Sequence, residues 1–138
     1  MDKFTIELGE KELRLISNAL DIYSRLALGQ FEIIDQVSSL QEEIWKNKDL
    51  DWSKMKEVTD NIKTTIWPEL TPNSYWGIFN REHVHDDARI AGDLHQQIRH
   101  HFYLQDTDPD KPKYTVDAYP SDICKIAGLK SPEFKINS

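Results

Sequence analysis

The segment from residue 86 to residue 100 carries polar residues whose types and spacing could do chemistry. Five of them recur at intervals of three and four, so they share one face of a helix: Asp86, Arg89, Asp93, Gln96 and His100. Arginine offers paired N–H donors to phosphate or carboxylate groups, and an aspartate accepts N–H donors. If this face turns inward, it predicts a pocket for an anionic ligand. If it turns outward, it is the solvated side of an amphipathic helix.

Further candidates for the same site lie just after this row and in two other parts of the chain. Arg99 follows the row, Tyr23 and Arg25 lie in the first predicted helix, and Tyr75 and Trp76 lie in an aromatic loop. We expect the arginines to bind phosphate and a loop ring to stack on a ring of the ligand. The candidate ligand-binding residues are therefore Tyr23, Arg25, Tyr75, Trp76, Arg89, Asp93, Gln96, Arg99 and His100.

All five histidines fall between His83 and His101, and this clustering raises the question of a metal site. His83 and Asp87 are four residues apart and could share a helical face, whereas His85 points in another direction. A zinc or manganese site needs three or four convergent ligands with supporting hydrogen bonds. We therefore predict no metal site and no cofactor.

The composition excludes several classes of protein. A length of 138 residues with 38% hydrophobic and 30% charged residues is typical of one folded domain. The net charge of −7 repels bare duplex nucleic acid. No stretch of eighteen apolar residues is present, so no membrane partner is expected. Cys124 is the only cysteine, which excludes an intramolecular disulfide. We expect a cytoplasmic protein.

Apolar residues recur with helical spacing in four segments, and this pattern predicts a mainly α fold, a bundle of about four helices. The predicted helices are 10–28, 31–46, 52–66 and 80–104. Gly29 is a natural helix stop, Pro68 ends the third helix, and Asn80 is a candidate N-cap of the fourth. The aromatic loop from Trp67 to Phe79 either covers the core or offers a stacking surface. Residues 1–138 form a single predicted domain, with 105–138 a partly extended tail.

Two features at the start of the chain predict contacts with other segments or other copies. Residues 4–8 alternate apolar and polar, which predicts a short strand. Its partner is either the stretch around Tyr114 and Val116 or the same strand of another copy. The first helix has two apolar stripes, one through Leu13 and Ile16 and the other through Leu15 and Ala19. Burial on both sides predicts a homo-oligomer with this helix as an interface.

Two runs of residues carry a resemblance to known proteins. Residues 21–32 and 87–100 together resemble small proteins encoded by bacteriophages and prophages, many of unassigned function. The resemblance covers about a quarter of the chain. It implies an accessory protein in the cytosol of an infected bacterium, where counter-defence is a common task. It implies no catalytic residue.

A second likeness points to an enzyme class. Gln41-Glu42-Glu43 followed by Ala91-Gly92-Asp93-Leu94 is similar to the all-α nucleotide pyrophosphohydrolases of the MazG type, which hold magnesium between acidic pairs on two helices. This chain has Lys46 and Ile90 where those pairs need carboxylates. Half of the expected ligand charge is therefore missing.

These observations favour a non-catalytic protein that binds a small phosphate- or nucleotide-like molecule or a host protein. Two alternatives remain open. The chain could be an acidic mimic of nucleic acid that inhibits a host enzyme, in which case its carboxylates would form a spaced row on one face. It could instead be an all-α metal-dependent nucleotide hydrolase.

Overall fold

A computed structural model describes residues 2–136 and shows a mainly helical protein. The α-helices, in chain order, are α1 (Glu10–Ala27), α2 (Ser38–Lys46), α3 (Trp52–Ile66), α4 (Asp86–Gln105) and α5 (Ile123–Ile126). Two short 3-10 helices span Phe31–Gln36 and Val116–Ala118. Among residues 2–136, no helix combines the length and apolar character needed to cross a membrane.

The chain divides into two compact units. The terminal unit consists of residues 2–21 and 90–136 of the described chain, and the central unit is Ile22–Arg89. The divisions fall inside α1 and α4, so each of these helices contributes residues to both units.

Helix α1 begins and ends where its sequence predicts. Glu10 and Glu12 lie in its first turn and Arg25 in its last, which complements the helix dipole. Gly29 has a positive φ of 93°, a conformation that favours glycine. The N–H of Gln30 donates to the Arg25 carbonyl at 3.0 Å, and the N–H of Gly29 donates to the Leu26 carbonyl at 3.0 Å. This pair of bonds is a Schellman motif, and the prediction that Gly29 stops the helix is confirmed.

The predicted second helix is two elements instead of one. The chain forms the 3-10 helix Phe31–Gln36, passes through Val37 in an extended conformation (φ −73°, ψ 117°), and starts again as α2. Val37 is β-branched and two serines follow it, and these residue types have weak helix propensity. Helix α3 begins where Asp51 accepts a hydrogen bond from the Lys54 N–H at 3.0 Å, and it ends before Pro68.

Helix α4 starts later than residue 80. The Asn80 side chain does accept from the His83 N–H at 2.9 Å, as expected of a cap, but only one turn forms there. The Asn80 carbonyl accepts from the Val84 N–H at 3.2 Å and from Arg89 Nη2 at 2.7 Å. The guanidinium therefore holds this isolated turn, and the regular helix begins at Asp86.

The prediction of a strand at residues 4–8 is wrong, because the described residues contain no strand. Phe4 and Ile6 are exposed, and so are Tyr114 and Val116. The carbonyl of Val116 accepts from the Gln96 side chain at 2.5 Å, and that of Tyr119 accepts from the same nitrogen at 3.0 Å. A side chain of α4 and a 3-10 turn thus take the backbone groups that a sheet would need.

The core of the central unit is small and lies beside the aromatic loop. Leu28, Val84 and Ala88 are buried together, with Trp76 and Ile78 packed against them. The N–H of Trp76 donates to the Leu28 carbonyl at 2.9 Å and so attaches the loop directly after α1.

Candidate functional site

The polar row of α4 is turned inward for most of its length. Arg89, Asp93 and Gln96 are buried, and His100 is half-buried, whereas Asp86 is exposed. Burial of charged side chains is costly unless they are paired or hydrogen-bonded. The contacts of these residues therefore decide whether the row serves a ligand or the fold.

Arg89 belongs to the central unit and is only 1% exposed. Its Nη1 pairs with Asp86 at 2.8 Å and its Nη2 with the Asn80 carbonyl, while its Nε has no hydrogen-bond partner among residues 2–136. The charged ends of this guanidinium are therefore engaged in holding the turn before α4.

Asp93 and Gln96 connect α4 to the C-terminal segment of the terminal unit. Asp93 is 0% exposed and accepts from the Cys124 N–H at 2.9 Å and from Gln97 at 2.6 Å. Gln97 also donates to the Pro132 carbonyl at 2.7 Å. Together with the bonds of Gln96 and the bond from the Phe134 N–H to Gln97 at 3.2 Å, these contacts attach residues 116–134 to α4.

The terminal unit contains an open cleft of about 770 Å³. Its volume falls in the range typical of small-molecule sites. The lining residues of this basic cleft are Arg14, Ser17, Asn18, His95, Arg99, Phe102, Tyr103, Asp106, Lys111, Pro112, Thr115, Val116 and Asp117. Three permanent cations and one histidine therefore face two carboxylates, in a chain whose net charge is −7.

Each cation of the basic cleft is held in place by a different contact. Arg14 pairs with Glu10 at 2.9 Å, and its Cζ lies 3.9 Å from the centre of the Phe102 ring. Arg99 pairs with Asp117. Cation–π contacts and ion pairs of this kind fix the position of long side chains, so less conformational entropy is lost when a ligand binds.

Lys111 is the cation of the basic cleft that lacks a carboxylate partner among the described residues. Its Nζ donates to the Tyr103 carbonyl at 2.9 Å and to the Asp106 carbonyl at 2.8 Å, and it lies 4.3 Å from the centre of the Tyr103 ring. Both acceptors are neutral carbonyls at the C-terminal end of α4, where backbone acceptors lack helical partners. Lys111 is therefore held by neutral acceptors and not by an ion pair.

His95 and His100 have separate surroundings within the terminal unit. His95 Nδ1 lies 2.8 Å from the Ser17 hydroxyl, and its Nε2 lies 3.7 Å from an Asp21 carboxylate oxygen. His100 Nδ1 lies 3.0 Å from the Asp117 carbonyl. His100 thus supports the segment that carries Asp117, whereas His95 lines the basic cleft itself.

The remaining candidates lie in the central unit, in four different settings. The Tyr23 hydroxyl donates to Asp87, and this hydrogen bond, with the charge of the carboxylate, raises the pKa of Tyr23. Arg25 donates to Gln30 at 3.4 Å. Trp76 stacks on His83, with ring centres 3.9 Å apart. Tyr75 is exposed and lines a separate pocket on α3.

The aromatic side chains of the loop fall into two groups, one packed against other rings and one exposed. Trp76 packs against the core of the central unit, and Trp67 contacts both the Trp76 ring at 6.4 Å and the Phe31 ring at 6.2 Å between centres. Tyr75 and Phe79 are exposed, so they are open to contact with other molecules.

Sequence reasoning singled out one lining residue of the basic cleft, Arg99, and missed Arg14, His95 and Lys111. Arg14 and Ser17 are three residues apart, so helical spacing places them on one face, but the sequence does not show that this face borders a cleft. Lys111 lies in a polar loop, where no periodicity indicates which way a side chain turns.

Within residues 2–136, no group of three or more histidine, cysteine, aspartate or glutamate side chains is arranged to hold a metal ion. His83 lies in the isolated turn before α4, so it does not share a helix face with Asp87.

Comparison with protein families, with curated proteins and with solved structures finds no match to this chain.

Proposed function

We propose that this protein is a non-catalytic binding protein that takes a small phosphate-bearing molecule, of nucleotide type, in the basic cleft. One observation carries the proposal: an acidic chain gathers Arg14, Arg99 and Lys111 around one cleft of about 770 Å³. Low-dielectric walls focus the field of such a cluster and raise the local concentration of anions.

The charge of Lys111 gives the cleft its anion preference. Arg14 and Arg99 each have a carboxylate partner, while the partners of Lys111 are carbonyls. A phosphate oxygen near Nζ would gain a charge-assisted hydrogen bond without displacing a carboxylate. Arg99 would then contribute the N–H donors that its pairing with Asp117 leaves unused.

A matched ligand series tests the class of ligand. Adenosine monophosphate, inorganic phosphate and adenosine are titrated into the protein by calorimetry. We expect the nucleotide to bind most tightly and adenosine least, because the cations of the cleft recognise the phosphate. Equal affinity of the nucleotide and adenosine would contradict the proposal.

Two lysines provide a matched pair of variants. Lys111→Met should weaken nucleotide binding by about tenfold, the loss expected when one charge-assisted contact is removed. Lys113→Met removes the same charge two residues away, from an exposed side chain outside the cleft lining, and should leave the affinity within about twofold. Equal losses in the two variants would point to a general charge effect and against a site.

Arg99→Ala should reduce nucleotide binding more strongly, because it removes a guanidinium and leaves Asp117 as an unpaired negative charge in the lining. Circular dichroism and a thermal melt establish whether the variant remains folded. Unchanged affinity in a folded Arg99→Ala protein would overturn the assignment. Mass spectrometry of small molecules released from the denatured wild-type protein would identify the ligand.

The proposal extends to the setting and to self-association. The resemblance to phage and prophage proteins implies that such binding acts in the cytosol of an infected bacterium, where counter-defence is a common task, on a small phosphate- or nucleotide-like molecule or on a host protein. On α1, Leu15 is 68% exposed, and Ile16 and Ala19 beside it are also exposed. An apolar strip of this kind favours a homo-oligomer. Sedimentation equilibrium of wild type and of Leu15→Glu tests it, because the charge would dissociate an interface centred there.

A further inference from the structure

The central unit has a second cavity, of about 420 Å³, whose walls differ in character from those of the basic cleft. It lies along α3 and includes residues from the 3-10 helix before α2 and from the aromatic loop. Its apolar walls come from Ile34, Trp52, Met55 and Tyr75, and its charged groups are Lys56, Lys63, Glu32, Asp35 and Asp60. We refer to it as the α3 pocket.

Lys63 is the unusual residue of the α3 pocket, because it is only 3% exposed. Its ammonium has three N–H donors, and one of them donates to the Pro72 carbonyl at 2.9 Å. No ion pair joins Lys63 to a carboxylate of the described residues. Lysines are rarely buried without an anionic partner, since removing an ammonium from water is costly.

The other charged residues of the α3 pocket do not provide an anionic partner for Lys63. Lys56 and Asp60 pair with each other at 2.6 Å, one turn apart on α3. Asp35 accepts from Gln36 at 3.1 Å. Lys63 is therefore a buried positive charge that lines a cavity, with donors left for an anionic group.

The rings beside this charge define the rest of the ligand. Trp52 and Tyr75 are both more than half exposed although they line the cavity. Exposed aromatic side chains at the wall of a cavity are typical of sites that take a flat apolar group. Glu32 and Asp35 repel a second negative charge, so the walls favour a group with a single charge.

We propose that the α3 pocket binds a ring-bearing monocarboxylate, with Lys63 pairing to the carboxylate and with Trp52 and Tyr75 flanking the ring. This site is separate from the proposed nucleotide site and does not depend on it. Its recognition rests on one buried charge and two rings, instead of on a cluster of exposed cations.

The test uses three probes of the same shape: 3-phenylpropionate, the neutral 3-phenylpropionamide and the cationic 3-phenylpropylamine. Each is titrated into the wild-type full chain by calorimetry, with quenching of tryptophan fluorescence as a second readout. The carboxylate should bind at least about tenfold more tightly than the amide, because only the carboxylate pairs with the ammonium. Equal binding of acid and amide, or tighter binding of the amine, would overturn the proposal.

Variants locate the effect at Lys63. Lys63→Met should abolish the preference for the acid over the amide, whereas Lys54→Met, an exposed position on the same helix outside the pocket, should retain it. If Lys63→Met does not fold, the comparison of acid with amide on the wild-type protein still decides the question. A folded Lys63→Met protein that keeps the full preference would contradict the role of Lys63.

Discussion

The two sites that we propose for anions, the basic cleft of the terminal unit and the α3 pocket of the central unit, differ in how their positive charge is arranged. The cleft is larger and distributes its positive charge over Arg14, Arg99 and Lys111 at half-exposed or exposed positions. The pocket is smaller and has its key positive charge on Lys63, which is buried. An acidic chain can thus offer a positive site to an anion in two ways. It can gather several cations around one cleft, or it can bury a single cation where water screens its charge less.

The difference has a consequence for selectivity. Several exposed cations favour a ligand with more than one negative charge, but water and salt screen them. A single buried ammonium is screened far less, and carboxylates nearby exclude a second charge. The two sites should therefore select ligands by different properties. The cleft should select by the total negative charge of the ligand, and the pocket should select by the shape of a ligand with a single negative charge.

The largest effect we expect is on the stability of the terminal unit, which contains the basic cleft. Asp93→Ala removes the buried carboxylate that accepts from the Cys124 N–H and from the Gln97 side chain. The free energy of unfolding should fall by about 3 kcal/mol, as is typical when buried hydrogen bonds to a charged group are lost. Urea denaturation measures the change. Asp122→Ala, at an exposed position whose side chain makes no cap hydrogen bond, should change stability by less than about 0.5 kcal/mol.

An intermediate effect compares the two sites directly through salt. Raising sodium chloride from about 50 mM to about 500 mM should weaken nucleotide binding in the cleft by about tenfold or more, because its cations are exposed to counterions. Binding of 3-phenylpropionate in the α3 pocket should weaken by only about twofold over the same range. Calorimetric titrations at both salt concentrations supply the numbers. Equal salt dependence would erase the distinction between the sites.

The smallest effect we expect is on the ionisation of a single side chain of the central unit, Tyr23. The hydrogen bond to Asp87 raises the pKa of Tyr23 above 10.0, its ordinary value, so the folded state binds this proton more tightly than the unfolded state does. Any stability from this contact is fully present below pH 10 and is lost as the pH rises through the pKa of the folded protein. In an ultraviolet titration of tyrosinate, Tyr23→Phe should remove one alkaline phase, and Asp87→Asn should shift the phase of Tyr23 to lower pH. An unchanged curve in both variants would contradict the contact.

The helices were predictable because their signals are local. The bounds of α1 and α3 agree with the apolar spacing, the glycine after α1 and the proline after α3. The start of α4 was not predictable in this way, because the turn at Asn80 is held by Arg89, nine residues further along. The strand prediction at residues 4–8 was wrong for a related reason, since alternation alone does not provide a partner.

The candidate site was harder to predict than the fold. The spacing of Arg89, Asp93, Gln96 and His100 correctly indicated a common face, and the structure shows that most of this face is buried. Spacing gives no information on what fills the space opposite a face. Here Cys124, Tyr119 and the Asn80 turn supply many of the partners, and the spacing within α4 does not indicate any of them.

The environment of Cys124 gives the protein a natural reporter. Its side chain is 0% exposed, and the chain contains one cysteine. A thiol reagent can react with it only in molecules whose terminal unit has opened, so the labelling rate under native conditions measures how often that opening occurs. A nucleotide that binds the basic cleft and stabilises the closed terminal unit would slow this labelling, so the labelling rate of Cys124 would report occupancy of the cleft.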